Sequence, residues 1–151
     1  MKVRDIKQRV VITGMGALTP LGLNVEETWS GLVAGRSGIT EITQFDASDL
    51  PIRIAGEIKG FDPTDYIPFK EARRMARASQ LAIAAGTQAM ADAGLGDRVP
   101  DPERSGIIMG TGIGGFDEGL KGWEVFKTKG LRRVNPFIAM AQLCNMPAHH
   151  V

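Results

Sequence analysis

The sequence predicts an α/β fold, and three stretches carry that prediction. Ile107-Ile108-Met109 is a short β-branched run leading into Gly110-Thr111-Gly112-Ile113-Gly114-Gly115, after which Phe116, Leu120, Trp123 and Phe126 recur at helical spacing. Arg9-Val10-Val11-Ile12-Thr13 leads in the same way into Gly14-Met15-Gly16 and a second helical pattern. Between them, Ala76 to Ala93 is rich in alanine and apolar on nearly every face, with Arg77 its only charge before Asp92. Strand, glycine turn, helix is the layout on which α/β proteins seat ligands, and a helix apolar all round is a buried one.

The elements follow in chain order. Arg9–Thr13 is expected to be a buried strand, ended by Gly14-Met15-Gly16 and by Thr19-Pro20-Leu21-Gly22. Asn24 then supplies an N-cap with Glu27 as its capping-box partner, Val25, Trp29, Leu32 and Val33 form a buried stripe, and Gly35 stops the helix. Gly38 to Pro63 is less regular, although Ile52 to Ile58 alternates like a half-exposed strand. Lys70, Arg73 and Arg74 concentrate charge at helical spacing, a pattern that by itself is most often a solvated face. The Ala76–Ala93 helix is expected between layers, closed by Gly94 and Gly96, and a polar loop over 97–104 leads to the strand at 107–109. The helix that follows Gly115 carries Asp117 and Glu118 early and Lys127 and Lys129 late, matching the helix dipole. Asn135-Pro136 reads as N-cap and first residue of a last helix, with Phe137, Met140, Ala141, Cys144, Ala148 and Val151 on one face and Pro147 set to kink or end it.

Composition narrows the class. A chain of 151 residues can build one real core, and 43% hydrophobic with 23% charged residues is ordinary for a globular protein. The 19 glycines against 6% aromatic residues point to close backbone packing rather than bulky side chains. A net charge of +1 makes no global case for nucleic acid or a membrane surface. One Cys cannot form an internal disulfide. The N-terminus lacks a leader's apolar run, and no stretch approaches the ~20 apolar residues of a membrane span. The expectation is a soluble, cytoplasmic protein with no metal site.

The chemistry is sparse. Gly110, Gly112 and Gly115 spell G-x-G-x-x-G, but a dinucleotide site also needs a second strand ending in an acid about 20 residues on. At that distance stand Leu131-Arg132-Arg133-Val134-Asn135-Pro136. The arginines could hold a 2′-phosphate, yet a proline sits where the strand should run, and close packing is the commoner use of such glycines. Cys144 with His149 or His150 is a poor nucleophile pair, because Cys144 is expected inside a helix on the apolar stripe, where a buried thiol is inert. One Cys and two adjacent His are too few for a structural zinc site.

The ordered set of motifs nevertheless resembles the β-ketoacyl-acyl carrier protein synthases. Arg9-Val10-Val11-Ile12-Thr13-Gly14-Met15-Gly16, Thr19-Pro20-Leu21-Gly22, Trp29, Gly35-Arg36-Ser37-Gly38-Ile39, Arg73-Arg74-Met75, Asp92-Ala93-Gly94-Leu95, Gly110–Gly115, Asn135-Pro136-Phe137 and Asn145-Met146 follow in that family's order and spacing across essentially the whole chain. The resemblance implies the N-terminal half of a thiolase-like fold with α-β-α-β-α layers, residues 1–151 forming a ketosynthase domain incomplete at its C-terminal end. It implies a decarboxylative Claisen condensation in fatty acid elongation, without a cofactor. A Cys takes the acyl group, the malonyl carrier loses carbon dioxide, and two His and backbone amides stabilise the oxyanions. No residue of this chain matches that Cys or those His: Cys144, His149 and His150 stand elsewhere, so the catalytic set is expected beyond Val151.

Binding positions do carry over. Ile113 matches a residue that gates the acyl pocket, and Phe137, Ile138 and Ala139 fall where the partner subunit's acyl pocket is lined across a homodimer interface. Lys70, Arg73, Arg74, Arg132 and Arg133 match basic positions where an acidic acyl carrier protein, loaded with acyl or malonyl groups, docks. The alternative for the first group is plain core packing. For the chain as a whole, the alternatives are a non-catalytic module of the same half-fold that binds a carrier protein or a partner synthase and, on weaker grounds, a dinucleotide-binding domain.

Overall fold

The computed structural model describes residues 9–96 and 98–151. Met1–Gln8, on which the reading of the N-terminus as leaderless rests, and Asp97 lie outside the described residues. Among the described residues six helices follow in order: α1 (Val25–Val33), α2 (Phe69–Ala72), α3 (Arg77–Asp92), α4 (Phe116–Lys129), α5 (Ile138–Ala141) and α6 (Met146–His150). Strands β1 (Ile39–Glu41) and β2 (Ile54–Gly56) form a two-stranded antiparallel sheet in which Thr40 pairs with Ala55. Short 3-10 turns fall at Pro63–Asp65, Pro102–Arg104 and Leu131–Arg133.

The helix ends are written in local chemistry. Asn24 accepts the Glu27 amide at 2.8 Å as an N-cap should, while the Glu27 carboxylate reaches back to the Leu23 amide at 2.7 Å, one residue before its capping-box target. Gly35 and Gly94 end α1 and α3 alike. Each has a positive φ, +64° and +67°, and in each the next residue closes a six-residue loop, Arg36 N–H to the Gly31 carbonyl and Leu95 N–H to the Met90 carbonyl, both at 3.0 Å. This is the Schellman arrangement, which needs a left-handed residue and so favours glycine.

Helix α3 is the spine. The Gly14–Ala17 turn lies along it so closely that a Cβ on Gly14 would stand 2.5 Å from the Ala93 nitrogen, and one on Gly16 would stand 2.8 Å from the Gln88 Cβ. Gln88 fastens the turn, accepting the Ala17 amide at 3.1 Å and donating to the Leu23 carbonyl at 2.7 Å and the Tyr66 hydroxyl at 3.1 Å. One turn on, Asp92 accepts the Met15 amide at 2.8 Å. Helix α6 packs on another side, with Val151 over Gly86. Helix α3 is nevertheless half-buried rather than enclosed: Ser79 and Ala84 are its fully buried residues, and grooves remain open along it.

Helix α4 seats on its glycines. Gly115, Gly119 and Gly122 form a stripe against Ala141, Gln142 and Ile138, and Gly115 N–H donates to the Gln142 carbonyl at 3.3 Å. At Gly115 a Cβ would collide with the Ala141 carbonyl and stand 2.5 Å from the Ala76 Cβ, whereas nothing lies within 4 Å of Gly110 or Gly112. Close packing is therefore what Gly114 and Gly115 serve. The aromatic stripe of α4 is turned out instead, with Phe116, Leu120, Trp123 and Phe126 all exposed.

Several sequence expectations are corrected. Arg9–Thr13 and Ile107–Met109 form no strand: neither joins a ladder among the described residues, and Val10 and Ile108 are 98% and 99% exposed. β-Branched residues are favoured in strands by neighbours on the pleated surface, and here no neighbouring strand supplies them. The α1 stripe is not buried, since Trp29, Leu32 and Val33 are exposed. The last helix divides into α5 and α6, with Pro147 in the first turn of α6 rather than inside a longer helix. Cys144 consequently lies in the intervening turn and is exposed.

The irregular 38–63 segment is tied by Glu57, a nearly buried carboxylate that accepts the Thr43 amide at 3.0 and 3.1 Å, the Thr43 hydroxyl at 2.8 Å and the Gln44 amide at 3.1 Å. The Thr43 hydroxyl bond, joined by the backbone bonds and the nearby Lys59 charge, outweighs burial and holds this carboxyl below the ordinary glutamate range.

Two tests follow from this packing. Gly115→Ala should destabilise the fold by about 1–3 kcal/mol, while Gly112→Ala should be neutral or stabilise by about 0.4–1 kcal/mol; equal urea midpoints for the two variants would remove the packing argument. Because the Glu57 pKa is depressed, its stabilisation is fully present above the unfolded value and lost as pH falls through the folded one. The melting-temperature gap between wild type and Glu57→Gln should be widest at neutral pH and close below about pH 4.3. A gap that ignores pH counts against this role.

Candidate functional site

The basic residues predicted on α2 converge. Lys70 lies within α2, Arg73 and Arg74 in the turn that follows it, and with Asn135 and Phe137 they line an open cleft of about 380 Å³. The Arg74 guanidinium stands 4.8 Å above the centre of the Phe137 ring, and that of Arg73 stands 5.6 Å above Phe69, one helical turn earlier. Among the described residues no carboxylate pairs with Lys70, Arg73 or Arg74, which leaves concentrated positive charge facing solvent on a chain of net charge +1. Such a cleft suits an anionic partner. Arg132 and Arg133 are exposed on the 3-10 turn just before Asn135, but they do not line the cleft.

Behind the cleft, Arg74 and Phe137 also wall a smaller cavity of about 320 Å³, lined with Met75, Met140, Met146 and His150. Burial lowers the His150 pKa, the neighbouring His149 charge lowers it further, and Glu71 opposes both. The two imidazole rings sit 5.2 Å apart. Neither His hydrogen-bonds to Cys144, whose backbone carbonyl instead accepts the Thr111 hydroxyl at 3.2 Å. Among the described residues no group of three or more His, Cys, Asp or Glu is placed to hold a metal ion, and no helix is long and apolar enough to cross a membrane.

The acyl-pocket candidates fall in two places. Ile113, 69% exposed, edges a groove of about 600 Å³ between the glycine turn and α3, with Leu18, Ile58, Leu81 and Ile108. Phe137, 41% exposed, lies in the basic cleft. Ile138 packs its Cδ1 towards Gly122 of α4, and Ala139 is exposed. The groove at Ile113 and the cleft at Phe137 share no lining residue. Sequence reasoning missed Asn135 as a member of the cleft and Phe69 as the ring beneath Arg73. Phe69 was findable at four residues before Arg73, a pair that shares one face of a helix; the meeting of Arg74 with Phe137 depends on tertiary packing and leaves no local signal.

Comparison with known proteins gives this geometry its context. The family model described as "Beta-ketoacyl synthase, N-terminal domain" matches residues 7–151. The 3-oxoacyl-[acyl-carrier-protein] synthase 2 of Vibrio harveyi is 44% identical over 142 residues, covering 94% of this chain and 34% of that protein. The crystal structure of a β-ketoacyl synthase from Burkholderia phymatum superposes with a TM-score of 0.76 at 31% identity, over 95% of this chain and 36% of that one. A type II polyketide ketosynthase solved in complex with its acyl-carrier protein superposes at 0.73 and 26%, over 95% and 39%. The chain thus spans about a third of the length of these relatives. Their shared architecture makes its fold the N-terminal half of the thiolase-like α/β fold, although the sheet strands expected at 9–13 and 107–109 join no ladder among the described residues. Matched from residue 7 to its last residue, the chain belongs to the β-ketoacyl synthases, an acyltransferase-type enzyme family, through their N-terminal domain.

Proposed function

We propose that this chain is the N-terminal portion of a 3-oxoacyl-acyl carrier protein synthase, which condenses acyl and malonyl carrier proteins with loss of carbon dioxide in fatty acid elongation. The observation that carries this reading is the family match over residues 7–151, joined to a basic cleft where the partner should be acidic. In the complete enzyme a Cys outside this stretch attacks the acyl thioester and releases the carrier thiol. Decarboxylation of the malonyl group then gives a carbanion equivalent that attacks the acyl-enzyme and expels the Cys thiolate. Residues 1–151 supply none of those groups: Cys144 has no histidine hydrogen bond to activate it, and the domain is read as completed by further sequence.

Within this reading the enzyme works in the cytoplasm, and Lys70, Arg73 and Arg74, with Arg132 and Arg133, receive the carrier protein. Ile113 gates the acyl pocket. Phe137, Ile138 and Ala139 contribute to the pocket of the other subunit in a homodimer. The rival, a non-catalytic carrier-binding or synthase-binding module, is favoured by the lack of a Cys–His arrangement in the chain itself.

Two measurements decide. The intact mass of the native gene product should lie well above 16.2 kDa; a mass of 16.2 kDa would transfer the proposal to the binding module. In the active enzyme, reversing both charges with Arg73→Glu and Arg74→Glu should raise the carrier-protein KM at least about tenfold, roughly 1.4 kcal/mol, and flatten its salt dependence while kcat changes little. Unchanged kinetics would remove the docking assignment.

A further inference from the structure

We infer that Phe137 is a positioning residue of the basic cleft: its ring is the platform that fixes the Arg74 guanidinium for an acidic partner. This rests on the carrier-docking reading of the cleft and adds to it a residue that the resemblance assigns to the acyl pocket. A guanidinium is planar, attracts the face of an aromatic ring, and keeps its five N–H donors in its own plane. Stacking and in-plane hydrogen bonding are therefore compatible, and a guanidinium held on a ring surrenders less side-chain freedom when a carboxylate arrives. Arg74 stands 4.8 Å above Phe137 and no carboxylate among the described residues pairs with it. Phe137 and Arg74 line the same open cleft with Lys70, Arg73 and Asn135. Arg73 is placed the same way over Phe69, so two adjacent arginines each rest on a ring, one from their own helix and one from a distant segment.

A freely rotating lysine needs no such support, whereas a two-ring arrangement suits planar, bidentate recognition of carboxylates. The partner addressed is thus a protein surface bearing clustered Asp and Glu. Phosphate on the carrier's prosthetic arm shares part of that chemistry, and omitting the arm separates the two.

The test is carrier binding by the full-length protein, measured by calorimetry with unacylated holo-carrier and with apo-carrier, so that the acyl pocket makes no contribution. Phe137→Leu should weaken both about two- to fivefold, and Phe137→Trp should restore them. Arg74→Lys, which keeps the charge and loses the plane, should weaken binding to a similar degree. In an Arg74→Met background, Phe137→Leu should have no further effect. Wild-type affinity in Phe137→Leu or in Arg74→Lys overturns the platform, as does an equal loss in the Arg74→Met background; the lysine variant keeps the test open if the leucine variant does not fold. Weakening of holo-carrier alone moves the recognised group to the phosphate arm and overturns the acidic-surface assignment. Arg74→Met binding like wild type would instead sink the docking reading itself, a result distinct from each of these.

Discussion

Backbone laid against backbone, with no Cβ between, is the constraint on which the packing of this chain depends. The Gly14–Ala17 turn approaches α3 to distances that a side chain would forbid, and Gly114 and Gly115 approach the Ala141–Cys144 turn in the same way. At Gly114 the φ of +64° adds a conformational demand to the steric one. Contacts of this kind explain how a chain with 6% aromatic residues brings its segments together. They also explain the polar fastening of α3. Once a turn lies directly on a helix, its amides need partners at the helix surface, and Gln88 and Asp92 provide them one turn apart.

The same mode of packing leaves apolar surface outside. Helix α4 sets its glycine stripe against α5 and turns Phe116, Leu120, Trp123 and Phe126 outward, with Trp123 and Phe126 stacked at 5.6 Å on the helix surface. The Val10–Ile12 and Ile107–Ile108 runs are exposed in the same sense. Apolar side chains left exposed in runs of this kind mark an interface rather than a finished exterior. The chain spans about a third of its relatives' length, and on the proposed reading these are the surfaces on which the rest of a layered α/β fold is built. The unpaired β-branched runs and the uncovered helix stripes are thus one feature: each is amphipathic or β-branched because its fold requires a partner layer.

That distinction also governs what was legible in the sequence. Features set by a few adjacent residues were readable: the Asn24 cap, the two glycine stops and the dipole charges of α4 all depend on neighbours along the chain. Features set by distant partners were not. The pattern at 9–13 identifies residues suited to a strand but cannot supply the neighbouring strand, and the 3.6-residue stripe on α1 identifies an apolar face without saying what covers it. Cys144 was misplaced because the helix expected around it is interrupted between Ala141 and Met146. For the candidate site, the α2 cations were visible as charge at helical spacing, and close packing was visible as a use of the glycine run, which holds at Gly115 but not at Gly110 or Gly112. The encounter of Arg74 with Phe137 was not visible, because the arginine and the ring lie on separate segments.

That encounter traces back to the glycines. Gly115 lies against both the Ala141 carbonyl and Ala76. Ala76 is two residues from Arg74, and Ala141 closes the short helix that begins immediately after Phe137. The approach at Gly115 therefore sets the distance between the two segments whose ends carry the guanidinium and the ring. A side chain wedged there would push the α2–α3 junction from α5, and a cation–π contact, being a matter of a few ångströms, would be among the first things lost. The glycine run that spells a nucleotide-binding signature thus has a packing use in this chain: at Gly115 it sets the separation between the segments that carry the Arg74 guanidinium and the Phe137 ring, and with it the geometry of the basic cleft.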